Sequence, residues 1–138
     1  MSKIAKHDVD RLISRAVAVR DQAYAPHSHF YVGAAILVSS GEIVAGCNVE
    51  NASYGLSICA ERAAACAAVS ASFHSWSAIA VASVGGVTPC GACRQFLIEF
   101  GSDVTILLVD VIDGGCREVK LADLLPDAFD ATKIPKHP

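Results

Sequence analysis

Two short fragments constrain this chain more than anything else in it: Cys59-Ala60-Glu61-Arg62 and Pro89-Cys90-Gly91-Ala92-Cys93-Arg94-Gln95. Each opens a segment that reads as a helix. The first runs from about Cys59 to Ser72. The second runs from about Cys90 to Phe100, with Pro89 placed to start it and Gly101 to stop it. A helix N-terminus carries partial positive charge and unpaired N–H groups, which lower thiol pKa values. A fold that brings two such ends together collects three thiolates around one point. Three thiolates suit Zn²⁺ and leave its fourth tetrahedral position to water, the pattern of a catalytic zinc site. Glu61, two residues from Cys59, can then face that water without ligating the metal.

Other readings stay open on the residues alone. A lone C-x-x-C also fits a redox pair, but that reading wants the motif after a first strand and leaves Cys59-Ala60-Glu61 unexplained. A structural zinc site needs a fourth ligand, from Cys47, Cys66, Cys116 or a histidine. Otherwise those three cysteines read as small core residues. His27 and His29 stand close to the predicted site, but no H-x-E spacing marks either as a ligand.

The rest of the chain supplies a frame for the two helix ends. Asp8 to Tyr24 has apolar residues at helical spacing (Val9, Leu12, Ile13, Ala16, Val17), with Asp8 able to cap its start. Phe30–Val38 and Glu42–Asn48 read as strands joined by the turn Ser39-Ser40-Gly41. Ala78–Val84 and Val104–Val109 read as buried strands. Asp113-Gly114-Gly115 turns the chain back into Arg117–Lys120, and Leu121–Leu125 is a short helical turn. The order α-β-β-α-β-α-β-β-α predicts an α/β fold with three α-β-α layers and a mixed five-stranded sheet. The first two strands should form an antiparallel hairpin. The third and fourth, each preceded by a helix, should run parallel to one neighbour.

Length and charge narrow the partners. The 138 residues predict a single domain spanning 1–138. Hydrophobic residues make up 53% and charged residues 18%, which excludes a disordered chain and favours burial between copies. The net charge is −3 and the basic residues are scattered, so nucleic acid is not the expected partner. No apolar run approaches a membrane span, and the polar start of the chain lacks a signal peptide's apolar segment. The expected location is cytoplasmic, where cysteines remain thiols or bind metal.

Taken together, these motifs resemble the cytidine deaminases of the short, homotetrameric, zinc-dependent kind. Phe30-Tyr31-Val32-Gly33-Ala34-Ala35 is similar to the family's first strand, and Gly46 to Leu56 to its nucleoside-binding segment. The two cysteine fragments are similar to its zinc motifs, and Leu124-Leu125-Pro126 with Phe129 to its C-terminal end. Departures lie at Tyr31, in the short segment Ser83–Thr88 and in the tail after Phe129, none of them at a cysteine.

The resemblance implies one Zn²⁺ per chain on Cys59, Cys90 and Cys93. It implies that Glu61 carries protons from water to the pyrimidine N3 and the leaving amine, and that Arg62 offsets thiolate charge. Substrate would be held by Phe30, Asn48, Glu50, Ala52, Tyr54 and the Ala60 backbone, and by Phe129, with Tyr54 and Phe129 reaching sites in neighbouring subunits. The implied reaction is hydrolytic deamination of cytidine and 2′-deoxycytidine in pyrimidine salvage. Three alternatives remain: a deaminase of bases in nucleic acid, a non-catalytic zinc domain, and a deaminase of a nucleoside analogue or antibiotic.

Overall fold

The computed structural model describes residues 4–136 and centres on a five-stranded sheet. In chain order the elements are α1 (Lys6–Arg20), β1 (Gly33–Val38), β2 (Ile43–Cys47), α2 (Ala60–Ser70), β3 (Trp76–Ser83), α3 (Gly91–Ile98), β4 (Thr105–Asp110), β5 (Cys116–Lys120) and α4 (Leu121–Leu124). The strands lie in the order β2-β1-β3-β4-β5. β3 and β4 are parallel, and every other pair is antiparallel. The expected hairpin of β1 and β2 forms, and the third and fourth strands are each other's parallel neighbour.

Alternation along the strands divides the core in two. Ala34, Ile36, Ile79, Val81, Ile106 and Leu108 point to one face, where Ala60, Ala64, Ala65 and Ala68 of α2, Leu97 of α3 and Leu121 of α4 cover them. Ala35, Leu37, Ala78, Ala80, Ala82, Leu107 and Val109 point to the other, where Leu12 and Ala16 of α1 pack. The three α-β-α layers are therefore those expected. α2 and α3 share one face, which is what lets their N-termini meet.

Two glycines set how closely helices approach the sheet. A Cβ on Gly33 would lie 2.1 Å from the Ala16 carbonyl oxygen, so only glycine lets α1 cross β1 there. A Cβ on Gly46 would lie 2.4 Å from the Ala64 amide nitrogen, so glycine on β2 and alanine on α2 together bring α2 against the sheet. At the opposite end of the molecule's core, Trp76 stacks on Phe100 with centroids 4.1 Å apart and donates its indole N–H to the Phe73 carbonyl at 2.9 Å.

Several local expectations are corrected. Asp8 is not the cap of α1: the helix starts two residues earlier, with Ala5 at the cap position, and Asp8 sits in the first turn bonded to Arg11 at 2.9 Å. α1 ends at Arg20 rather than Tyr24, because Tyr24 leaves to bridge Val49. The first strand starts at Gly33 rather than Phe30, because the Asn48 side chain takes the place of a ladder partner: it accepts from the Val32 N–H at 2.9 Å and donates to the Phe30 carbonyl at 2.8 Å. Cys66 and Cys116 are exposed and Cys47 half-buried, so none is a core residue. Cys66 faces away from the sheet on α2, and Cys116 lies on the edge strand. Among the described residues no helix is long and apolar enough to cross a membrane.

Candidate active site

Cys59 is the residue immediately before α2, Cys90 the residue immediately before α3, and Cys93 lies in the first turn of α3. The three Sγ atoms lie within 4.8 Å of one another, and those of Cys59 and Cys90 are 4.0 Å apart. A tetrahedral zinc with Zn–S bonds of about 2.3 Å requires S···S separations of about 3.8 Å. The donor set therefore fits one zinc with little adjustment. No fourth His, Cys, Asp or Glu joins the group among the described residues, so the four-ligand structural reading finds no support there.

The thiols are already polarised. Cys59 is pulled down to about 5, first by the hydrogen bond from Cys93 and then by Arg62. Cys93, buried and donating to Cys59, is pushed up. Arg62 donates from Nη2 to the Cys59 Sγ at 3.5 Å, as its place after Glu61 suggested. Its Nε is buried without a hydrogen-bond partner among the described residues. Glu61, in the first turn of α2, is only 6% exposed. Its carboxyl is raised to about 7, chiefly by burial and secondarily by the charge of Cys59.

Glu61, Cys59 and Cys90 line one cavity of about 180 Å³, together with Phe30, Asn48 and Ala60 from the sequence-derived set. Sequence reasoning missed its remaining walls: Val32, Val81, Val87 and Thr88. Val81 was legible as an alternating position on β3, and Val87 and Thr88 directly precede Pro89, but nothing in their residue types marks them. A neighbouring cavity of about 280 Å³ is lined by His27, Ser28, Glu50, Tyr54 and Ser57. Glu50 accepts from the His27 and Ser28 N–H groups at 2.9 and 3.1 Å and bonds the Ser28 hydroxyl. Asn48 and Glu50, in the segment that continues past β2, thus both address the segment 27–32.

Tyr54 is 75% exposed and stands edge-on to His27, with centroids 5.6 Å apart. Ala52 and Phe129 line neither cavity; the Phe129 ring is exposed, and its carbonyl accepts from Gln95 Nε2 at 2.8 Å. A larger cavity of about 680 Å³ lies between α1 and β2 and contains none of these residues. Chemistry rather than size identifies the site.

The family model of the cytidine and deoxycytidylate deaminase zinc-binding region matches residues 6–109. The chain is 44% identical over 124 residues to a cytidine deaminase of Sporosarcina psychrophila, covering 88% of this chain and 91% of the relative. It is 44% identical over 136 residues to a cytidine deaminase of Mycobacterium tuberculosis H37Rv, covering 94% and 95%. Among solved structures, the cytidine deaminase of Burkholderia pseudomallei superposes with a TM-score of 0.84 at 46% identity, covering 91% of this chain and all of that one (100%). With a cysteine triad spaced for one metal ion, a buried glutamate beside it and this likeness along nearly the whole chain, the protein belongs to the zinc-binding cytidine and deoxycytidylate deaminase family and is a cytidine deaminase.

Proposed function

We propose that the enzyme hydrolyses both cytidine and 2′-deoxycytidine, forming uridine or 2′-deoxyuridine and ammonia, as a cytoplasmic step of pyrimidine salvage. Its working form is a homotetramer of single-domain chains with shared sites. The observation that carries this reading is Glu61, a carboxyl only 6% exposed that nevertheless lines the same cavity as Cys59 and Cys90. A buried acid with no catalytic use is a cost to the fold, whereas one poised near neutrality both accepts and returns protons.

Cys59, Cys90 and Cys93 hold the zinc. When bound, the metal supplies the Lewis acidity that makes water nucleophilic near neutral pH. Glu61 takes a proton from the attacking water and delivers it to the pyrimidine N3. With the water oxygen bonded to C4, Glu61 takes the remaining proton from that oxygen and passes it to the C4 amine; the C4–N bond breaks, ammonia leaves and the oxygen becomes the uracil carbonyl. Arg62, bonded to Cys59, offsets the negative charge of three thiolates. Phe30 and the valine walls pack the base, and the Ala60 backbone meets its polar edge. Asn48 and Glu50 hold the sugar, already oriented by their bonds to the segment 27–32, and Ala52 is a further substrate contact. Tyr54 and Phe129 act across subunit boundaries, a reading supported by two exposed aromatic rings.

Loss of absorbance on adding cytidine, and separately 2′-deoxycytidine, to zinc-loaded protein tests the reaction. A chelator should abolish turnover. Glu61→Gln should retain zinc and fold while losing about 10²–10⁴-fold in rate. Near-normal turnover by that variant would refute the role given to Glu61, and inactivity on both nucleosides would refute the substrate assignment.

A further inference from the structure

Arg94 lies one residue beyond the second cysteine of the C-x-x-C and takes no part in the chemistry above. Its guanidinium diverges to three acceptors on two separate pieces of chain. Nε donates to the Pro89 carbonyl at 2.8 Å, Nη2 donates to the Thr88 hydroxyl at 3.1 Å, and Nη1 donates to the Leu124 carbonyl at 2.8 Å. No carboxylate pairs with it among the described ion pairs. The first two bonds grip the segment that forms a wall of the 180 Å³ cavity through Thr88 and leads straight into Cys90. The third reaches the end of α4, and the next residue along α3, Gln95, holds the Phe129 carbonyl at 2.8 Å.

Resting on the proposed reading of the site, we propose that Arg94 is a positioning residue, fixing at one point the cavity wall at Thr88, the approach to Cys90 and the C-terminal segment. The segment needs such an anchor. Between β3 and α3 the chain turns through two glycines at positive φ, Gly85 and Gly86, and bonds from the Gly85, Gly86 and Val87 N–H groups to Asp110 and Ser83 hold the connection as far as Val87. Toward its end, Thr88 and Pro89 are held by the Arg94 fork. A planar guanidinium can direct several N–H bonds in fixed, diverging directions, and an ammonium on a flexible stem cannot. The requirement is thus for the fork and not for the charge.

The test compares Arg94→Lys with the parent, both zinc-loaded and both confirmed folded by circular dichroism at the assay temperature. One readout is the rate of zinc release to a colorimetric chelator, which needs no catalysis. The other is KM for cytidine measured separately from kcat. Release should quicken roughly 10-fold, the lower end for groups that orient metal ligands. KM should rise about fivefold as the Thr88 wall loosens, a loss comparable to one hydrogen bond. Thr88→Val, which removes one arm of the fork, should raise KM while release stays within about twofold of the parent. If Arg94→Lys melts earlier but releases zinc and binds cytidine as the parent does, Arg94 is merely structural and the proposal falls. Faster release from Thr88→Val equal to that from Arg94→Lys overturns the division of labour among the three bonds. A parent that binds no zinc would overturn the metal site itself, a failure distinct from either.

Discussion

Replacing Glu61 by glutamine should stabilise the metal-free protein, by an amount that grows with pH. Folding raises this carboxyl from 4.5 to about 7, mainly because α2 and the sheet remove it from water. The folded state therefore holds the proton more tightly than the unfolded chain does. Well below pH 4.5 both states are protonated and the carboxyl costs nothing; as pH climbs through 4.5 toward 7 the unfolded chain ionises first and stability is lost. At about 1.4 kcal/mol per pH unit the full loss is about 3 kcal/mol, reached above neutrality, with about 1 kcal/mol already lost at pH 5. Glutamine has nearly the same shape and never ionises. Urea unfolding of both chains under chelator and reductant, at pH 5 and pH 8.5, isolates the effect. The quantity to read is the difference between the chains at each pH, because Cys59 titrates in both and the difference leaves Glu61 together with its coupling to the Cys59 thiolate. The variant should gain about 1 kcal/mol at the lower pH and about 3 at the higher. An equal gain at both, or a loss at pH 8.5, would refute the claim that burial controls this acid.

Cys90→Ala should leave the protein without zinc in elemental analysis and lower its melting temperature, since the metal ties two helix ends together. Gly46→Ala should cost about 1–3 kcal/mol or more in thermal unfolding, because the new methyl would collide with the backbone of α2 rather than with a movable side chain. Phe129→Ala should weaken cytidine binding without loss of zinc. Once subunit exchange is shown independently, mixing that chain with Glu61→Gln should restore part of the activity; absence of rescue would place the Phe129 ring outside the neighbour's site.

The parts of the site that carry distinctive chemistry were readable from residue type and spacing. Cysteines at two helix starts have few uses, and a glutamate two residues after one of them has fewer. The layers were readable because β1, β3 and β4 are buried runs, α1 shows helical periodicity and α2 is built of good helix formers. What escaped the sequence depends on contacts between distant segments. Asn48 was read as a sugar ligand, and it also replaces a strand partner for Phe30 and Val32, which is why the strand begins late. Cys66 and Cys116 are apolar enough for a core, but one falls on the outer side of α2 and the other on the edge strand. Val87 and Thr88 became cavity walls only through a connection whose course no local propensity specifies.

The stacked pair at the start of β3 gives the protein a built-in reporter. Trp76 is the sole tryptophan of the chain, 7% exposed, with its ring on Phe100 just past α3. Intrinsic fluorescence excited at the tryptophan band therefore reads the seating of the helix that presents Cys90 and Cys93, from its far end. Trp76 lines neither the metal-side cavity nor the one beside it. Nucleoside binding should consequently leave the emission maximum in place, while undocking of α3 should shift it to the red as the indole meets water. One optical signal can thus separate a variant that has lost its ligands from one that has lost the helix carrying them.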